Sequence, residues 1–168
     1  MRTAVALALL IASVAGVDAA LLKPGDRFPS WTLPDQTGAR LSSADLAGKT
    51  YLLWFYPRAM TPGCTTEGRG LRDQIDAFRT RGVDIVGVSF DDPARNAEFV
   101  KAEGFPFRLL SDQSHGLAMS VGAADSADAP VARRISYLVG PDGTVRQVYT
   151  SVNPASHAKD VLGDLASP

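Results

Sequence analysis

The chain has 168 residues, 45% hydrophobic and 21% charged, which fits one soluble domain with a real core and leaves little length for a second. A formal net charge of -1 gives no electrostatic reason to expect nucleic acid or an anionic membrane surface as a partner. A single cysteine, Cys64, rules out an intramolecular disulfide scaffold, and His115 and His157 supply no ligand spacing around it, so no metal is expected.

Met1-Arg2-Thr3, an apolar run over residues 4–16 and the small-residue string Val17-Asp18-Ala19-Ala20 have the layout of a secretory signal, with cleavage after Ala19. The run is shorter than the roughly 20 residues that span a bilayer, so a cleaved signal is preferred to a retained anchor and no stable membrane insertion is expected. The organisation read from this is a signal over 1–19 and one domain over 20–168. The compartment is periplasmic or otherwise secretory, with organelle import as the alternative.

Strands near Trp31 and Leu41 flank the turn residues Asp35-Gln36-Thr37-Gly38 and predict a small hairpin, and Ser42-Ser43-Ala44-Asp45 begins a short helix that stops at Gly48. Residues 50–56 form a continuous apolar and aromatic run suited to a central strand buried on both faces. From Pro62 to about Arg81, the steps Cys64, Gly68, Leu71, Ile75, Phe78 trace one face of a single helix, with Cys64 on the inward side. A second buried strand over 83–90, a helix from Asp92-Pro93 to Gly104 and a third strand over 107–110 follow. Residues 111–122 hold a short helix containing His115, and 122–132 is an alanine-rich loop without aromatic anchors. Strands over 134–139 and 144–150 flank Gly140-Pro141-Asp142-Gly143, a hairpin signal, and a last helix follows Asn153-Pro154. This order predicts an α/β fold with a mixed central sheet flanked by helices.

Cys64 stands at the strand-to-helix junction. Pro62 suits the first helical position, and Thr61 suits the N-cap, which places the thiol in the first turn. Free N–H groups and the positive end of the helix dipole favour a thiolate there; thiols at such ends fall from about 8.5 to between roughly 3.5 and 7.5. The bland alternative is a buried cysteine that only fills space. Glu67 is read as structural, an acid near the positive end of the helix and a partner for an arginine. Asp112, Ser114 and His115 do not make a hydrolase triad, because no Gly-x-Ser-x-Gly elbow is present.

Pro57-x-x-x-Thr61-x-x-Cys64 resembles the signature of the peroxiredoxins, thiol peroxidases on a thioredoxin-like fold. Phe55-Tyr56-Pro57, Thr61-Pro62-Gly63-Cys64-Thr65-Thr66-Glu67 and Leu71-Arg72-Asp73 look like the peroxiredoxin Q, or bacterioferritin-comigratory-protein, subgroup, over roughly residues 23 to 165. The resemblance implies a thioredoxin-like fold with an N-terminal hairpin extension and no cofactor. It makes Cys64 the nucleophile, has Thr61 hydrogen-bond the peroxide, has Pro57 shield the pocket, and has the N–H groups of Gly63 and Cys64 bind the oxygens. It also implies an arginine beside the thiolate from a distant strand. Arg133-Arg134-Ile135-Ser136-Tyr137 matches that strand, and Arg134 is preferred to Arg133.

Many members of the subgroup carry a resolving cysteine five residues after the first, where this chain has Arg69. The reading is therefore a one-cysteine peroxidase for hydrogen peroxide and organic hydroperoxides, serving antioxidant defence and redox homeostasis. It is recycled by an outside thiol such as glutathione or a thioredoxin-like protein, and is a monomer or weak homodimer. Arg58, Arg69 and Arg72 lie near Cys64 in sequence as further sources of positive potential. The rival is a non-enzymatic thioredoxin-fold redox sensor or interaction module.

Overall fold

The computed structural model describes residues 21–166; the expected signal over 1–19 lies outside them. Strands β1 (Thr32–Pro34) and β2 (Arg40–Ser42) pair antiparallel as the N-terminal hairpin, and a 3-10 turn over Ser43–Leu46 follows, capped by Ser42 and Asp45. The second sheet contains β3 (Thr50–Phe55), β4 (Val83–Ser89), β5 (Arg108–Ser111), β6 (Ile135–Val139) and β7 (Val145–Tyr149), in the order β5-β4-β3-β6-β7. Strands β3, β4 and β5 run parallel, β6 is antiparallel to β3, and β7 returns antiparallel to β6 through the expected hairpin. The helices are α1 (Pro62–Asp73), α2 (Ile75–Thr80), α3 (Pro93–Glu103), α4 (Gly116–Ser120) and α5 (His157–Asp164). Among the described residues, no helix is long and apolar enough to cross a membrane.

The continuous apolar run of β3 sits in the middle of the sheet, and Leu52, Leu53, Trp54 and Phe55 have no exposed surface. Alternation splits it between two cores. Leu53 and Phe55 face Phe28, Trp31, Leu117 and Tyr137, under the N-terminal segment and α4. Leu52, Trp54 and Tyr56 face the other way, onto Cys64, Leu71, Phe78, Phe99 and Val161 from α1, α2, α3 and α5. The catalytic candidate is thus part of the second core.

Two expectations change. The helix predicted over 62–81 is two helices, because Gln74 leaves helical geometry at φ -104° and ψ 10°. Leu71 and Phe78 still share one core, so the apolar period survives a break it cannot register. The short helix predicted to contain His115 starts at Gly116; His115 precedes it in the left-handed region at φ 60°, stacked on Phe90. At Gly68 a close approach is required: a Cβ there would lie 2.5 Å from the Phe105 ring and 3.1 Å from Trp54, so α1 seats against both aromatics only with glycine.

Candidate active site

The first residues after β3 set the site. Thr61 is the N-cap of α1 in extended geometry and Pro62 follows at the start of the helix, as expected. The Thr61 hydroxyl does not cap, however; it donates to the Arg58 carbonyl at 2.9 Å. Helical pairing begins with the Thr65 N–H to the Thr61 carbonyl at 2.9 Å. The N–H groups of Gly63 and Cys64 are therefore among the first-turn donors that no carbonyl of the helix can reach. The loop before the helix is held by the Asp91 carboxylate, which accepts from the Ala59 N–H at 2.8 Å and from the Ser89 hydroxyl at 2.9 Å. Within that loop Met60 takes the left-handed conformation at φ 63° with 43% of its surface exposed, a strained backbone position of the kind that collects at functional sites.

Cys64 is fully buried, with Pro57, Thr61 and Gly63 partly exposed around it. Its sulfur accepts from Arg134 Nη2 at 3.5 Å. Of the two candidate arginines, the structure brings Arg134 to the thiol; Arg133 turns away to Asp125 at 2.5 Å and to the Gly122 carbonyl at 3.2 Å, tying down the alanine-rich loop. Gly63 has a second use that sequence reasoning missed: a Cβ there would lie 3.1 Å from Arg134 Nη2, crowding the guanidinium. Arg69 is not directed to the thiol but forms a two-pronged pair with Glu103 at 2.6 and 3.2 Å, and Arg72 donates to the Glu103 carbonyl at 2.6 Å. Arg58 is exposed.

Glu67 pairs with an arginine, as expected, but does so in full burial. It lies in the second turn of α1 on the same face as Cys64, without exposed surface, and pairs with Arg134 Nη1. Its carboxyl is pushed above the ordinary carboxylate value by burial, against the opposing pull of the Arg134 charge and hydrogen bond and of the Trp54 indole. Its second oxygen, Oε1, has no hydrogen-bond partner. Near it stands His157 of α5, 1% exposed, whose Nε2 lies 3.8 Å from Oε1 and 2.9 Å from the Ser136 hydroxyl. Sequence reasoning weighed His157 only as a metal ligand. A usable signal existed for Ser136, two residues from Arg134 and so on the same face of β6, and for Glu67, three residues from Cys64; nothing local marked His157.

Burial drives His157 down to about 4, with Asp160 opposing and Arg134 adding to the fall, so its imidazole is neutral at neutral pH. The unfolded state, with an ordinary histidine value near 6.5, binds more protons between pH 6.5 and 4, so stability from the buried neutral ring is complete above 6.5 and is lost as pH falls towards 4. In urea titrations, His157→Phe removes that dependence. The stability gap between wild type and variant is therefore expected to shift steadily across this window as the wild type weakens.

A small thiol core, a helix N-terminus and a forked guanidinium at one sulfur define a thiol-based redox enzyme, and the chain belongs to the AhpC/TSA family, whose model matches residues 24–148. It is 37% identical over 148 residues to peroxiredoxin Bcp of Escherichia coli, covering 84% of this chain and 94% of that protein. Among solved structures, peroxidoxin BcpB of Mycobacterium tuberculosis superposes with a TM-score of 0.80 at 31% identity, covering 86% of this chain and 96% of that one. The bacterioferritin comigratory protein of Xanthomonas campestris, solved in connection with its alkyl peroxide reduction activity, gives 0.76 at 31% identity, covering 88% and 97%. Within the family the chain falls in the subgroup of the Bcp proteins and peroxiredoxin Q, as its motif predicts, and the mixed sheet with flanking helices is the thioredoxin-like fold. It is an enzyme of the peroxidase class.

Proposed function

We propose that this protein is a one-cysteine peroxidase in which the Cys64 thiolate attacks the terminal oxygen of a hydroperoxide. The S–O bond forms as the O–O bond breaks, leaving a Cys64 sulfenic acid and releasing water or an alcohol once the leaving oxygen takes a proton. The observation that carries this reading is the Arg134 guanidinium at 3.5 Å from the sulfur of the chain's only cysteine, in the first turn of a helix. In the proposed roles, the N–H groups of Gly63 and Cys64 are preorganised donors for the charge that develops on the leaving oxygen, the Thr61 hydroxyl, its proton held by the Arg58 carbonyl, accepts from the peroxide O–H, and Pro57 shields them. Hydrogen peroxide and alkyl hydroperoxides are the substrates, in keeping with the activity named for the X. campestris relative.

Without a second cysteine, the sulfenic acid is resolved from outside. One thiol, from glutathione or a thioredoxin-like protein, condenses with it to a mixed disulfide and water, and a second thiol displaces Cys64 and takes the disulfide away. One equivalent of peroxide should give a protein that traps with dimedone, or with added thiol, at a single site, and excess peroxide without thiol should carry Cys64 to sulfinic acid. Mass spectrometry reads both. Repeated turnover with no external thiol, or an intact wild-type thiol after peroxide, would overturn the mechanism. Activity as a monomer or weak homodimer belongs to the same proposal.

The location is proposed as exported, on the signal-like pattern of residues 1–19. Protein purified from its native host is then expected to begin at Ala20 by intact-mass analysis. A mass that retains Met1 would remove the export proposal.

A further inference from the structure

Five side chains from three elements form one series, buried except for a partly exposed Arg134: Cys64 and Glu67 on α1, Arg134 and Ser136 on and beside β6, and His157 on α5. Arg134 divides its two terminal nitrogens, Nη1 to Glu67 and Nη2 to Cys64. That division is not the lowest-cost arrangement for Glu67 taken alone. A buried carboxylate with one unpartnered oxygen gains most by taking both guanidinium nitrogens in a two-pronged pair, which would draw Nη2 off the sulfur. Two donors stand near the carboxylate to balance Oε1 and keep the fork shared: the Trp54 indole N–H, itself without a hydrogen-bond partner, and His157.

We propose that His157 is a positioning residue for this site: its Nε2, anchored on the Ser136 hydroxyl and directed at Glu67 Oε1, holds the carboxylate so that Arg134 keeps one arm on Cys64. The Ser136 hydroxyl both donates and accepts, so it does not choose the imidazole tautomer. The carboxylate does, because only a ring with its proton on Nε2 offers Oε1 a donor. The single Nε2 proton goes chiefly to the serine oxygen at 2.9 Å, and Oε1 at 3.8 Å feels it as an electrostatic contact longer than a hydrogen bond. The charged and titratable groups facing the series are Tyr56 just after β3, Cys64 and Glu67 of α1, Arg134, Asp160 of α5 and Tyr149 of β7, whose ring lies edge-on to His157 at 5.2 Å, besides His157 itself. Besides Arg134 and His157, the Trp54 indole acts as a donor toward Glu67.

The inference rests on Cys64 being the reacting thiol, and the test separates the two claims by using a thiol reagent as well as peroxide. In His157→Phe, the rate of Cys64 alkylation by iodoacetamide at pH 7 and the kcat/KM for peroxide are both expected to fall about tenfold, since misplacing a group by about an ångström costs that order or more. His157→Gln, whose amide nitrogen reaches the place of Nε2, should recover most of both rates. In a Glu67→Gln background, His157→Phe should add little further loss, because the histidine acts through that carboxylate. Ser136→Ala should show a smaller loss in the same direction and serves if the phenylalanine variant folds poorly. Unchanged rates in His157→Phe, the same loss in the Gln variant, or full additivity with Glu67→Gln would each overturn the positioning role. Wild-type protein that alkylates but does not react with peroxide would instead overturn the peroxidase reading.

Discussion

Replacing Cys64 by serine is expected to reduce peroxide consumption to the level of the protein-free solution, whatever thiol is supplied. The nucleophile is the thiolate, and a serine hydroxyl stays protonated at neutral pH even beside a guanidinium and a helix N-terminus, so none of the site's positive potential can be used. The fold should survive. Serine is slightly smaller than cysteine, and Arg134 Nη2 offers its oxygen a hydrogen bond, so the change in unfolding free energy should stay within about 2 kcal/mol. A peroxide-consumption assay beside a urea titration checks both parts. Residual catalysis in a folded Cys64→Ser protein would place the chemistry on some other group.

Arg134→Ala is expected to lower kcat/KM for peroxide by about 10²-fold or more, the usual cost of losing one preorganised donor at a developing charge. It also leaves Glu67 buried without its counter-charge, and a buried pair broken from one side costs about 3 kcal/mol or more. Arg134→Lys tells charge from geometry. An ammonium keeps the positive charge but is a single point, and cannot reach Glu67 and the Cys64 sulfur with two fixed nitrogens, so it should recover stability better than activity. Steady-state kinetics and thermal unfolding of the two variants are the measurements. Equal activity in Arg134→Lys and wild type would show that the shared fork is not required.

Arg69 carries a consequence for any attempt to restore a resolving thiol. It lies five residues beyond Cys64, roughly 140° around the helix at 100° per residue, on the outer face against Glu103 while the sulfur faces the core. Cysteine side chains so placed cannot meet within disulfide geometry unless the helix unwinds locally. The Arg69–Glu103 pair and the Gly68 contact with Phe105 both fasten this part of α1 to the end of α3 and the residues after it.

The sequence by itself determined what near neighbours control. Pro62 starts a helix because its fixed φ and missing N–H suit the first helical position, with Thr61 extended before it although its hydroxyl makes no cap, and that alone puts Cys64 at a helix N-terminus. The apolar run of β3 announces burial on both faces, and the glycines and proline around residue 141 announce the hairpin that returns β7 antiparallel to β6. Tertiary structure decided the rest, because those choices compare partners far apart in the chain. Arg133 and Arg134 are told apart in sequence only by the family resemblance, and the twist that delivers one to Asp125 and the other to Cys64 exists only once β6 lies against β3. Glu67 reads as an ordinary helix acid until α5 closes over it, and His157 has no local sign of its place at all. The break at Gln74 is silent in the apolar period, since both sides of it still point at one core.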